Sequence, residues 1–311
     1  MTIWTPGGEP WRPEGQYLAP CGLTSGRAKG RIGDIAMKLF ISHCHTGAVP
    51  FGQSRHPQDG TLPRLAEILQ AKEVDGAVVF APFPRESLGW GGQATEDFAD
   101  PNDWLLAALP DYPRFRGFCT LNPGDAGAPE RLAHLIDAGL KGVKVHPPVH
   151  GIVVNDPALD DFWSAAEQLG APVHIHTGTH GGLLSTYRPM LLDEVAQRHP
   201  RLNIVMDHLG GYALFDEALA VLHNNGNVYA GLTQCSGRAK VYTLLRDRLD
   251  VLLETVGPDR IIYGLDYPWN DDNEAALAED LAWIRSWGLS REDTAKILGG
   301  NILRLIGEPG Y

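Results

Sequence analysis

The chain has no run of about 18 apolar residues, the length a helix needs to cross a bilayer, which excludes a transmembrane helix. Cysteine is scarce. Cys21, Cys44, Cys119 and Cys235 are scattered with no CxxC pair, which excludes a zinc knuckle and a disulfide framework and leads us to expect reduced thiols in a cytoplasmic protein. Basic residues are outnumbered 26 to 38, and the net charge of −12 excludes a broad attraction to nucleic acid or to an anionic membrane surface. A small-molecule substrate is the expected partner. The opening stretch lacks a basic start followed by an apolar run, so a signal peptide is not expected.

What is present describes a large folded core: 43% of the 311 residues are hydrophobic and 21% charged, enough to exclude disorder of the whole chain. Residues 1–36, rich in Gly, Pro and Trp, are expected to form an irregular arm, and residues 37–311 the catalytic domain. From Lys38 onward, short apolar or β-branched runs alternate with amphipathic stretches. The runs are 38–45, 76–82, 115–121, 140–146, 172–177, 202–208, 227–233 and 260–266. Between them apolar residues return at helical spacing, as in Leu62, Leu65 and Leu69, in Phe162, Ala166 and Leu169, and in Leu214, Ala218 and Leu222. Eight unbroken βα units predict an α/β fold, a closed (β/α)8 TIM barrel. Residues 289–307, opened by a Ser290 cap, predict an extra C-terminal helix, and the Gly-rich stretch 83–100 an active-site loop.

The twelve histidines are unevenly placed. On a strand, side chains two apart share a face, so His43 and His45 point one way and Cys44 the other, giving a pair able to grip a metal. His146, His176, His208 and Asp266 each close a predicted strand, and barrel active sites are built at that end. Imidazoles with one carboxylate suit zinc, with manganese, iron or cobalt as alternatives. His174 lies one layer deeper than His176, which favours a supporting role, and Lys144, inside the barrel, requires a carboxylate, a metal-linked carbamate or substrate as its partner. Trp90, His180, Tyr267 and Trp269 are candidates to touch substrate.

Taken together, SHCHTG, LKGVKVHPP, PVHIHTGTHGG, IVMDHLGG, VGPDRIIYGLDYPW and KILGGNILRLIG resemble the amidohydrolase-related branch of the amidohydrolase superfamily. That branch holds metal-dependent hydrolases, lactonases and decarboxylases similar to aminocarboxymuconate-semialdehyde decarboxylase. The resemblance covers about residues 38 to 307. It implies that His43, His45, His176 and Asp266 ligate the metal, that His208 acts as a base or as ligand of a second metal, and that the protein can be a homodimer. The acidic residue usual two places before the first histidine is Ile41 here. The expected reaction is hydrolysis of a small amide, lactone or related ester by a metal-activated water, with Asp266 moving the proton. The alternative is non-oxidative decarboxylation of an unsaturated or aromatic acid. One metal, most readily zinc, is expected per chain; a second would draw on Lys144, His176 and His208.

Overall fold

The computed structural model describes residues 38–52, 54–83, 100–237, 243–244 and 246–308. The expected arm, Trp90 and nearly all of the 83–100 loop lie outside the described residues. Eight parallel strands close a barrel in sequence order: β1 (Phe40–His45), β2 (Gly76–Phe80), β3 (Phe115–Thr120), β4 (Val143–Val145), β5 (Val173–His176), β6 (Ile204–Asp207), β7 (Val228–Thr233) and β8 (Ile261–Tyr267). Each falls within its expected run, apart from one added residue, Tyr267, on β8. β4 is the shortest: one residue past its end stand Pro147 and Pro148, which cannot donate to a ladder.

Two apolar layers explain why these residues become strands. Outward side chains such as Ile41, Val79, Cys119, Ile175 and Met206 pack beneath the helices, while Phe40, Val78, Phe118, Val205 and Ile262 fill the barrel and meet Ile302 and Leu303 of the C-terminal segment. Burying each large aliphatic contributes roughly 1.5–3 kcal/mol. Among the described residues no helix is long and apolar enough to cross a membrane. Cys44, Cys119 and Cys235 are buried free thiols.

The helix Leu62–Ala71 buries Leu62, Leu65 and Leu69 as its spacing requires, and starts at Thr61, whose hydroxyl accepts from the Arg64 amide. Two expected contacts shift. Leu169 is 38% exposed because it is the last residue of its helix before the left-handed Gly170. Phe215 is buried and Leu214 is not, since the backbone at Leu214 departs from helical angles (φ −116°, ψ 15°). The C-terminal segment is two short helices, Arg291–Ala295 and Asn301–Leu305, joined by a π-turn over Lys296–Gly300, and not one continuous helix. Ser290 caps the first by accepting from the Asp293 amide at 3.0 Å.

At the start of β2, remote from the strand ends where the histidines gather, a Cβ at Gly76 would run into the Arg114 carbonyl oxygen and the Phe40 ring. Gly76→Ala is therefore expected to lose about 1–3 kcal/mol of stability by overpacking. Urea denaturation alongside turnover per folded molecule checks this, with turnover expected to stay near wild type.

Candidate metal centre

The catalytic-face residues do not follow simple strand alternation. Phe40 and Ser42 point into the barrel, so strict alternation would turn His43 outward. Instead the pairing of β1 slips between Ile41 and Cys44, and His43 takes a left-handed backbone (φ 58°). The bulge re-aims the chain so that His43 and His45 both face the mouth while Cys44 enters the outer core. His208 (φ 65°) and Asp266 (φ 59°) share this conformation, which is rare for residues with a Cβ and marks positions held by their surroundings.

His43, His45 and Asp266 converge. His43 Nε2 lies 3.2 Å from His45 Nε2, and Asp266 Oδ1 lies 3.2 Å from His43 Nε2 and 3.5 Å from His45 Nε2. Ligands at about 2.0–2.1 Å from a tetrahedral metal stand about 3.3–3.4 Å apart, so this triangle has the size a zinc-like ion requires. The spacing of the three donors fits such a metal. Burial opposes the charge of Asp266, yet hydrogen bonds from His43 and His45 hold its carboxyl well below the usual carboxylate range. Burial pushes His45 down to about 4; it opposes the charge of His43 too, but there Asp207 and Asp266 win and the pKa is raised.

His176 falls elsewhere. Its ring stacks on His146 at 4.0 Å with planes 12° apart, and with His180 these two form a second group whose ligating atoms lie within 4.8 Å of one another. Near-parallel rings hold their lone pairs in separate planes, so His146 and His176 cannot both point at one ion as they stand. His176 Nε2 faces the Gly178 carbonyl oxygen at 2.9 Å and donates to it, which leaves Nδ1 as its electron-pair donor. His208 connects the groups, with its ring 5.3 Å from His43 and 4.7 Å from His176. Its Nδ1 donates to the Thr233 carbonyl at 3.1 Å, so the lone pair sits on Nε2, and burial lowers its pKa to about 3.

The other sequence candidates divide. Lys144 finds a carboxylate: its Nζ lies 2.5 Å from Asp207 Oδ2, both fully buried. Asp207 escaped the sequence reading, although the demand of Lys144 for a partner was the signal that could have found it. His174 Nδ1 donates to Asp207 Oδ1 at 2.8 Å. Tyr267, expected to touch substrate, is corrected: its ring lies in the outer core, and its hydroxyl accepts from Gly60 N at 2.7 Å and donates to Thr61 O at 3.0 Å, which ties down the loop after β1. Trp269 packs edge-on against Phe51 and, with Gln234 and Asp272, lines a rim cavity of about 440 Å³. His146 Nδ1 is buried without a hydrogen-bond partner, and Phe83 lies against its ring at 5.6 Å.

Such a closed barrel, with two imidazoles and a carboxylate converging at one mouth, belongs to the metal-binding (β/α)8 enzymes. The chain is a member of the amidohydrolase family, whose model, described as "Amidohydrolase", matches residues 42–307. A curated relative, 2-amino-3-carboxymuconate-6-semialdehyde decarboxylase of Dictyostelium discoideum, is 23% identical over 238 residues, 66% of this chain and 65% of that protein, so the match spans about two thirds of each. Among solved structures, a 5-carboxyvanillate decarboxylase of Novosphingobium aromaticivorans, complexed with manganese and 4-hydroxy-3-methoxy-5-nitrobenzoic acid, superposes with a TM-score of 0.64 at 16% identity, over 88% of this chain and 97% of that one. A Pseudomonas putida protein named for proposed 2-pyrone-4,6-dicarboxylic acid hydrolysis superposes with a TM-score of 0.60 at 20% identity, over 87% and 98%. These likenesses show the fold.

Burial holds His150, like His208, near a pKa of about 3, against about 6.5 in an unfolded chain. A histidine kept neutral in this way contributes stability fully above about pH 6.5, and that stability is lost as the pH falls toward the folded value. The raised His43 works in the opposite sense. The denaturation midpoint of metal-free protein is therefore expected to be flat at neutral pH and to fall between about pH 6.5 and 4.5. His150→Asn, away from the His43–His45–Asp266 triangle, should flatten that fall.

Proposed function

We propose that the protein is a metal-dependent hydrolase of a small amide, lactone or related ester. The observation that carries this reading is the triangle of His43, His45 and Asp266 donors at 3.2–3.5 Å. These residues would hold one divalent ion, with His176 Nδ1 as the further ligand that the family resemblance implies. Zinc matches the nitrogen-rich donor set best, with manganese, iron and cobalt as alternatives. When bound, the ion supplies a Lewis acid and acidifies water at the site.

The chain's own groups do the rest. The Asp266 carboxylate, kept ionised, accepts a proton from the attacking water and returns it to the leaving group. His208 is neutral, with Nδ1 donating to the Thr233 carbonyl, and it takes a hydrogen bond or a proton from substrate through Nε2. His146 Nδ1 and the half-buried His180 contact the substrate across the mouth, and Trp269 stands at its rim. The net charge of −12 fits a small molecule and not a polyanion as the partner.

A second reading, non-oxidative decarboxylation of an unsaturated or aromatic acid, is supported by the names of the Dictyostelium relative and the manganese-bound neighbour. It uses the same residues: a water at the centre would give its proton through Asp266 to the carbon bearing the carboxylate, and the carbon–carboxylate bond would then break, its electron pair restoring the π-system as carbon dioxide leaves.

Metal analysis of purified protein is expected to find about one equivalent per chain, removable by a strong chelator with loss of turnover. Full turnover without metal would overturn the reading. Asp266→Asn keeps an oxygen donor but little basicity, so turnover should fall about a hundredfold or more while metal is retained. Assays on lactones, amides and aromatic acids, with carbon dioxide measured directly, decide between the reactions: ring opening or amide cleavage without carbon dioxide release supports hydrolysis, and carbon dioxide release moves the assignment to decarboxylation.

A further inference from the structure

The geometry points to Asp207, pinned by Lys144, as the positioning residue that fixes His43 as its Nδ1–H tautomer and so aims Nε2 at the metal. This rests on the reading of His43, His45 and Asp266 as a metal centre.

Asp207 is fully buried at the end of β6 and accepts from three directions. Lys144 Nζ reaches Oδ2 at 2.5 Å, while His174 Nδ1 and His43 Nδ1 reach Oδ1 at 2.8 and 3.1 Å. The other acceptor near His43 Nδ1, Thr233 Oγ1, is farther away at 3.4 Å and is uncharged. A charged acceptor takes the proton in preference to a hydroxyl, so the Nδ1 proton of His43 belongs to Asp207. Nε2, within 3.2 Å of both His45 Nε2 and Asp266 Oδ1, gives its electron pair to a cation when one is bound, and hydrogen-bonds to Asp266 only without it. A carboxylate behind a ligating imidazole also makes the ligand more basic.

The surroundings are arranged to keep that carboxylate charged and still. Without Lys144 it would be an uncompensated buried charge, which is costly. His174 is itself held from behind, its Nε2 accepting from Ser42 Oγ at 3.2 Å. Across on β7, a Cβ at Gly231 would stand 2.9 Å from Asp207 Oδ1, so only glycine leaves the carboxylate its place. Lys144 is thereby committed to an ion pair as an ammonium and is not offered to the mouth as a carbamate bridging two metals.

The test has two arms. In zinc-loaded wild-type protein, histidine nitrogen NMR is expected to show His43 protonated on Nδ1 and ligating through Nε2. The Nε2–H form would overturn the inference whatever the variants do. In zinc competition against a chelator, Asp207→Asn is expected to bind zinc about 10–100-fold more weakly while its metal-free melting profile confirms a folded chain. Asp207→Glu should recover part of the loss, and wild-type affinity in a folded Asp207→Asn would overturn the inference. If Asp207→Asn does not fold, Gly231→Ala, which displaces the same carboxylate, should give the loss of affinity. A carbamate resonance at Lys144 after exposure to labelled bicarbonate would also overturn the inference. Failure of the wild type to take up any metal would sink the metal reading itself, an outcome distinct from metal uptake with His43 ligating through Nδ1, which would sink only the role of Asp207.

Discussion

Three buried electron-pair donors 3.2–3.5 Å apart require something positive among them. Much of the mouth follows from that constraint. His43, His45 and Asp266 satisfy it with a cation or with a shared proton, in keeping with the raised pKa of His43 beside the depressed one of Asp266. The layer beneath answers the same demand from below, with Lys144 balancing Asp207 so that the net charge under the centre is not made more negative. Buried histidines elsewhere in the mouth, including His146, His176 and His208, are pressed toward neutrality, the form in which imidazole can donate an electron pair.

The barrel was legible because its signal is repeated eight times. Apolar runs flanked by helical periodicity need only a period to be recognised, and errors of one or two residues at each end do not change the topology. The C-terminal segment was harder. Its apolar pattern runs on through Lys296–Gly300, and nothing in a periodicity argument reports that the backbone widens into a π-turn there while the Asn301 amide bonds to the Pro258 and Ile261 carbonyls.

At the site, the same-face argument for His43 and His45 holds in the structure for a reason it did not contain. The pair is out of phase with Phe40 and Ser42, and the bulge restores it to the mouth. The same shortcoming hid Asp207. With His208 taken as inward-facing, its neighbour belongs outside by alternation, yet the left-handed backbone at His208 lets both residues face inward. Tyr267 was misread because adjacency to Asp266 says nothing about which side of the strand a ring occupies. Period-two reasoning works along regular β-structure and fails at the residues where a strand ends in a functional side chain.

His43, His208 and Asp266 all hold a backbone conformation that glycine would adopt freely, and each costs about 1–3 kcal/mol to keep. The mouth is thus maintained against the local preference of its own chain, at positions where the most conformationally comfortable substitution is also the one that deletes the working group. A copy of this barrel released from selection for chemistry would gain stability by losing these side chains. Its scaffold could therefore outlast its site, so relatives that keep every strand while carrying glycine at these three places would be well-folded barrels that have ceased to be enzymes.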